Sequence, residues 1–407
     1  MPTINSERLL HDLYYLRSIG SVGSGVVRPA FSKADMEARH WLQGQFIAAG
    51  LKTTIDGVGN VLGISSNSGP ALLLGSHADT QPTGGWLDGA LGVIYGLEVV
   101  RALAEDPLTS NLAVDVVALQ DEESRFFGCL GSRSLSGLLE GGIDSSLVDA
   151  DGIRLVDAIT DAGLSDTPRA RLEPGRYKGF LEAHIEQGPH LEAENLKIGV
   201  VTSIVGLGGR RFTFKGQQNH AGTTMMHLRK DAASALFDLA NSINQGFRAI
   251  ASPRTVWTMG RVIVHPGAVS IVPGYGELDL QYRDPSNQIL DSLEAEIEQI
   301  VESVSSRVDV EISMGLARER ISPVELNPML RNHLRLAAEG RAPSQWTEMD
   351  SGAYHDAGVM SEVLPAAMLF IPSIGGVSHD FSEDSHDEDI LLGCQVLAEA
   401  TVQILTS

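Results

Sequence analysis

Cysteine is nearly missing from this 407-residue sequence: Cys129 and Cys394 are the two present, and no CxxC occurs. That excludes a disulfide framework and a thiolate metal site for a chain of this size, and a reducing cytoplasm is the expected compartment. Basic residues are also short, 30 Lys and Arg against 52 Asp and Glu, for a formal net charge of −22. Nucleic acid and anionic membrane faces are bound through an excess of lysine and arginine, so no nucleic acid and no membrane partner is expected. No apolar run reaches the roughly 18 residues of a membrane span. The opening MPTINSERLLHDLYYLRSIG has neither the basic nor the apolar segment of a secretion signal. Repeats and low-complexity tracts are missing as well.

What remains has ordinary globular proportions, 43% hydrophobic and 20% charged, and a length that favours two domains. Helical periodicity marks residues 6–18 and 33–49, the second opening at Ser32 and Asp35 and stopping at Gly50, and both read as surface helices. NVLGI (60–64) and the continuous apolar run ALLLGSH (71–77) read as strands, followed by a helix from about Gly89 to Ala104 and a strand at 112–120. This alternation predicts an α/β sheet whose strand ends carry the site. From 209 the texture changes to RRFTFKG, a helix at 230–245, the strand-like TVWTMGRVIV and GELDLQY, and a helix at 285–304. A smaller α+β domain is thus expected over 209–324, inserted between 1–208 and 325–407, where strand texture returns at AAMLFIPS.

Five segments carry candidate chemistry. GSHADTQPTGGWLDG places His77 two residues before Asp79 at a strand end, so that the imidazole can face a metal while Asp79 orients it. Asp88 follows in a loop where Gly84, Gly85 and Gly89 let backbone approach an ion. DEESRF (121–126) sets three carboxylates side by side, which need a cation or a raised pKa. HIEQGPHLE supplies His184, Glu186, Gln187 and His190, and GGVSHDFSED supplies His379. These nitrogen and oxygen donors suit zinc, cobalt or manganese. QNHAGTTMMHLRKDA places His220 beside small residues in the inserted domain, where it could polarise a substrate carbonyl.

Taken together, GSHADTQPTGGWLDG, DEESRF, AHIEQGPHLE, NHAGTTMM, IVPG with YRDP, SGAYHDA and GGVSHDFSE resemble, in order and over nearly the whole chain, the hydantoinase/carbamoylase branch of the zinc aminoacylase and peptidase (M20) superfamily. That branch includes N-carbamoyl-L-amino-acid hydrolases, allantoate amidohydrolases and β-ureidopropionases. The resemblance implies a metal-bearing catalytic domain, a mixed sheet with helices on both faces, and an inserted lid and dimerisation domain. It further implies two divalent ions per subunit, zinc first and manganese or cobalt as alternatives, held by His77, Asp88, Glu123, His184 and His379, with Asp88 bridging. Glu122 is then the general base and acid acting on a water between the ions, His220 the oxyanion stabiliser reaching into a partner subunit of a homodimer, and Arg283 the grip on a substrate carboxylate. Gln187, Ser270, Gly352, His355 and either Arg210 or Arg211 are further substrate-binding candidates.

The expected activity is hydrolysis of a non-peptide C–N bond in a small N-carbamoyl or ureido acid. An M20-type aminoacylase or dipeptidase is the alternative, and a catalytically silent small-acid-binding protein is a third reading that the retained ligand set disfavours. The chain departs from the family at EESRF for EEGSRF, Met225 in place of the proline of TTPM, Ser270 for asparagine and Tyr354 for the glycine of SGAGHDA. These changes leave the metal set intact and alter the substrate set.

Overall fold

The computed structural model describes residues 2–139 and 142–407. It comprises two compact units, one formed by the chain up to Thr202 together with Glu325–Ser407, the other by Ser203–Val324. The sequence-based start of the inserted domain at 209 falls inside the strand Gly206–Lys215. Its first residues, GLGG, carry almost no side-chain pattern to mark where the strand begins.

The large unit is built on a mixed sheet. Its order is Val324–Glu325, Ile198–Ile204, Ala366–Ile371, Tyr177–Ile185, Ala71–His77, Val114–Leu119, Val61–Ile64, Lys52–Ile55, with Trp346–Ser351 also pairing with Ile198–Ile204. Ala71–His77 runs parallel to both Val114–Leu119 and Tyr177–Ile185, and Ala366–Ile371 runs parallel to Tyr177–Ile185. These four strands therefore end on the same side, and the loops that follow them converge there. Alternation assigns the faces. Leu72 and Leu74, Val114 and Val116, Leu181 and Ala183, and Leu369 and Ile371 join one core with helices Ser6–Ser18, Lys33–Ala48, Ala90–Glu105, Pro328–Arg341 and Asp387–Thr406. The short helix Asp356–Met360 packs on Tyr177–Ile185 and Ala366–Ile371.

Local chemistry explains the element ends. Asn5 Oδ1 accepts the Arg8 N–H and Ser32 Oγ accepts the Asp35 N–H, each capping a helix start. Helix Lys33–Ala48 keeps Lys33, Glu37, His40 and Ile47 exposed, as its pattern suggests, while its inward face carries Asp35 and Arg39, both fully buried and ion-paired at 2.9 Å. Helix Asp387–Thr406 is long and apolar enough to cross a membrane, yet most of it is buried inside the unit, as a core helix should be.

In the inserted unit the sheet order is Val256–His265, Tyr275–Asp284, Gly206–Lys215, Glu311–Ile321, all antiparallel. Strand Tyr275–Asp284 alternates between buried and half-buried at every residue. Its Leu278, Leu280 and Tyr282 pack with Phe212 and Phe214 under helices Ala232–Ile250 and Asn287–Ser305, each large side chain contributing about 1.5–3 kcal/mol by burial.

Candidate metal centre

His77 is the last residue of its strand, and its Nδ1 lies 3.0 Å from the Asp79 main-chain oxygen. That contact turns Nε2 toward Asp88 Oδ1, 3.5 Å away. His184, near the end of the neighbouring parallel strand, is held the same way. Its Nδ1 is 2.8 Å from the Ile185 oxygen, and its Nε2 is 3.0 Å from the same Asp88 Oδ1. Gly89 is required here: its φ is +65°, and a Cβ would fall 2.4 Å from His77 Nε2.

The second set comes from loops. Beyond Val114–Leu119 the chain turns through Asp121 and Ser124, both with positive φ (56° and 64°). Ser124 thus takes the conformation that glycine adopts without cost, at the point where EEGSRF is shortened. The Asp121 carboxylate receives the N–H groups of Arg125, Phe126 and Phe127, so of the three adjacent acids it anchors the turn. Glu123 Oε2 accepts from Gln81 Nε2 at 2.7 Å. Its Oε1 is buried with no hydrogen-bond partner among the described residues, 3.6 Å from His379 Nε2. His379, at φ +55°, places that nitrogen 3.2 Å from Asp88 Oδ2.

Asp88 is therefore shared between two donor groups, His77–Asp88–His184 and Asp88–Glu123–His379, in each of which the ligating atoms lie within 4.8 Å of one another. The donors are imidazole nitrogen and carboxylate oxygen throughout, the set that suits zinc, manganese or cobalt. The orphaned Glu123 oxygen and the glycine cradle over His77 fit the same kind of occupant.

Electrostatics agree. Burial pushes Asp88 up, but hydrogen bonds with His184, His379 and His77 outweigh it and hold the carboxyl well below its usual range. The Asp88 contact raises His379 to about 9 against the lowering effect of burial. Burial, then Asp88, pushes Glu123 up to about 7. Glu122 lies with Oε2 3.8 Å from His77 Nε2. Burial drives its carboxyl far above the ordinary range, His77 lowers it, and Glu123, Asp356 and Asp88 raise it further. Carboxylates crowded in this way are stabilised as anions by a cation.

Several expected residues have other surroundings. Asp79 orients His77 through its main chain. Its carboxylate is 4.0 Å from that ring and instead accepts the Glu123 N–H at 3.3 Å, because the turn brings that donor closer. Gln187 Nε2 donates to Asp88 Oδ2 and Ser378 Oγ, 3.1 Å each. His355 is 2% exposed and packs edge-on behind His184 at 4.6 Å, and Gly352 is exposed. Glu186 caps the short helix at His190, accepting the N–H groups of His190 and Leu191, and His190 is in neither donor group.

In the inserted unit, Asn219–His220 pairs with Ile271–Val272, and the Ser270 oxygen accepts the Ala221 N–H. His220 Nδ1 accepts from Gly222 and Thr223 at 3.0 and 3.2 Å. Strand register separates the two arginines. Arg211 pairs with Asp279, on the face that also carries Gln281 and Arg283, whereas Arg210 pairs with Leu280 on the helix-covered face and reaches Glu294. Arg283 lies 3.1 Å from the Gln281 side-chain oxygen.

Sequence reasoning passed over Gln81, Arg39 and Glu383. Arg39 donates to the main-chain oxygens of Gly59, Ala118 and Leu119 and to the Gln120 side chain, clamping the strand end that leads to Glu122. An arginine four residues after an aspartate, at the spacing of one helix face with Leu42 and Phe46, was the available signal.

Residues 73–403 match the model of peptidase family M20/M25/M40. An N-carbamoyl-L-amino acid amidohydrolase of Geobacillus stearothermophilus is 35% identical over 98% of this chain and 99% of its own. A ureidoglycolate hydrolase of Arabidopsis thaliana is 32% identical over 97% of this chain and 86% of its own. The crystal structure of a hydantoinase/carbamoylase family amidase from Burkholderia phymatum superposes with a TM-score of 0.91 at 46% identity, covering 100% of this chain and 99% of that one. The chain belongs to the peptidase family M20/M25/M40, in its hydantoinase/carbamoylase branch.

Proposed function

We propose that the protein is a two-metal amidohydrolase that cleaves a non-peptide C–N bond in the ureido group of a small N-carbamoyl amino acid or ureido acid. The observation that carries this is Asp88, which turns one oxygen to each of two donor groups beside the buried carboxyl of Glu122. Two ions so held, zinc first and manganese or cobalt as substitutes, would polarise the scissile carbonyl and acidify a water. Glu122, a buried carboxylate beside His77, would take the proton from the attacking water and return it to the leaving nitrogen. Both relatives are named for substrates with a ureido group on the carbon next to a carboxylate.

Arg283 offers a planar guanidinium to that carboxylate, and Arg211 shares its face of the sheet. His220 accepts two N–H groups at Nδ1, which puts its proton on Nε2, the arrangement needed to donate to an oxyanion. We assign to the inserted unit the lid and pairing role in a homodimer, and to the protein a place in the cytoplasm, where Cys129 and Cys394 stay as thiols.

The test is ammonia release from allantoate, N-carbamoyl-β-alanine and several N-carbamoyl-L-amino acids by zinc- or manganese-loaded protein, with N-acetyl and dipeptide forms alongside. Turnover of a ureido substrate that drops about 10²- to 10⁴-fold in Glu122→Gln supports the reading. Faster cleavage of dipeptides or acetyl compounds, or silence across the panel with metal bound, overturns it.

A further inference from the structure

Glu383 stands outside both donor groups, yet it is 2% exposed and reaches the main chain of the aspartate they share. Its Oε1 accepts the main-chain N–H groups of Leu87 and Asp88, each at 3.1 Å. Its Oε2 accepts the Ser378 hydroxyl at 2.8 Å. The same Ser378 oxygen accepts from Gln187 Nε2, which also donates to Asp88 Oδ2. The shared aspartate is thus held by its main chain through Glu383 and by its side chain through Gln187, and Ser378 ties the two holders together. Gly85 makes room for this, since a Cβ there would lie 1.9 Å from Glu383 Oε1.

The loop that offers Glu383 is itself braced. Ser382 donates its N–H and hydroxyl to the Asp380 carboxylate at 2.9 and 2.6 Å, and the Ile374 N–H closes on the Asp384 oxygen at 2.9 Å. His379 belongs to this loop and to the same donor group as Asp88 Oδ2 and Glu123. The buried group has a different support: His77 and His184 are fixed by strands and by their own neighbouring carbonyls.

We infer that Glu383 is a positioning residue that sets the spacing between Asp88 and His379, and that it governs occupancy of the Asp88–Glu123–His379 group while leaving the His77–Asp88–His184 group nearly untouched. This rests on the two-ion reading above. Groups that orient metal ligands from behind weaken metal affinity roughly 10- to 100-fold when removed, and here that loss falls on one of two binding steps.

The experiment is calorimetric titration of zinc into the metal-stripped full-length protein, with ion content counted after dialysis, for wild type, Glu383→Ala, Glu383→Gln and His379→Ala. The expected result is two steps in wild type and the loss of one in His379→Ala. In Glu383→Ala that same step should weaken about 10- to 100-fold with the other within about twofold. Glu383→Gln should fall between, because an amide oxygen still accepts from Leu87 and Asp88. If Glu383→Ala does not fold, Glu383→Gln and Ser378→Ala are judged by the same selectivity. Equal weakening of both steps would mean a merely structural role, and unchanged steps would mean none; either overturns the inference while the two-ion reading stands. A wild type that takes up a single ion per chain removes both.

Discussion

The two donor groups around Asp88 use the same kinds of side chain and differ in how they are built. In His77–Asp88–His184 the side chains of the two histidines are 1% exposed and sit at the ends of adjacent parallel strands. In Asp88–Glu123–His379 the histidine side chain is 49% exposed, and the residues stand on turns with positive φ at Ser124 and His379. Buried, strand-held ligands cost little to order when an ion arrives, whereas a half-exposed histidine on a strained turn must be held by its neighbours. One half of the centre is therefore part of the fold, and the other is an attachment to it.

The strongest way to break this contrast is at the residue both halves share. Asp88→Ala should leave neither group able to retain an ion and should abolish turnover, whereas His379→Ala should keep one ion per chain; metal analysis after dialysis decides. Equal loss from the two variants would mean that the halves are not separable. Gly89→Ala attacks the buried half alone. Its Cβ would press on His77 Nε2, and alanine would be forced into left-handed backbone. Overpacking and the φ penalty together cost about 2–5 kcal/mol. We expect a lower melting temperature and loss of the zinc step that belongs to His77–Asp88–His184, with the other step kept. A Gly89→Ala protein that binds zinc at both steps with wild-type affinity would show that the cradle is not needed.

The same contrast explains what was legible in the sequence. Histidines and acids beside glycines stand out in GSHADTQPTGGWLDG because few structural needs combine those residues, and strand ends follow from apolar runs such as ALLLGSH. Strand Tyr177–Ile185 was harder to see, since Glu182 interrupts its apolar pattern. That carboxylate is fully buried and satisfied by Ser76 Oγ and the Ala357 N–H, partners more than 100 residues away. Which of the three acids in DEESRF anchors the turn depends on where three N–H groups end up, and the same holds for the Asp79 main chain taking the role expected of its carboxylate. The two arginines at 210 and 211 are equivalent until strand register puts Arg211 on the face of Arg283. Such facts are tertiary, and no spacing encodes them.

A smaller effect separates the halves by pH. Behind the buried group lies Asp356, fully buried, with Oδ1 accepting Ser132 Oγ at 2.6 Å and Oδ2 without a hydrogen-bond partner among the described residues. Burial, then Glu182 on the strand it packs against, pushes its carboxyl up to about 7. Asp79 adds to that rise, while His77 and the Ser132 hydrogen bond lower it. A folded-state pKa above the ordinary carboxyl range means that the folded protein binds this proton more tightly than the unfolded chain. The resulting stability is fully present below about pH 4 and is lost as pH rises through about 7. In metal-stripped protein, wild type should therefore lose melting temperature between about pH 4 and 7 more steeply than Asp356→Asn, which has no proton to release there, and the two should run parallel above about pH 8; the extra loss across that window should be about 2–4 kcal/mol. Zinc in the buried group would place positive charge near Asp356 and lower its pKa, so adding zinc should flatten the wild-type slope. In His379→Ala, where the buried group alone can fill, zinc should flatten it just as much. A slope that flattens only when the exposed group is intact would reverse the assignment of which half Asp356 senses.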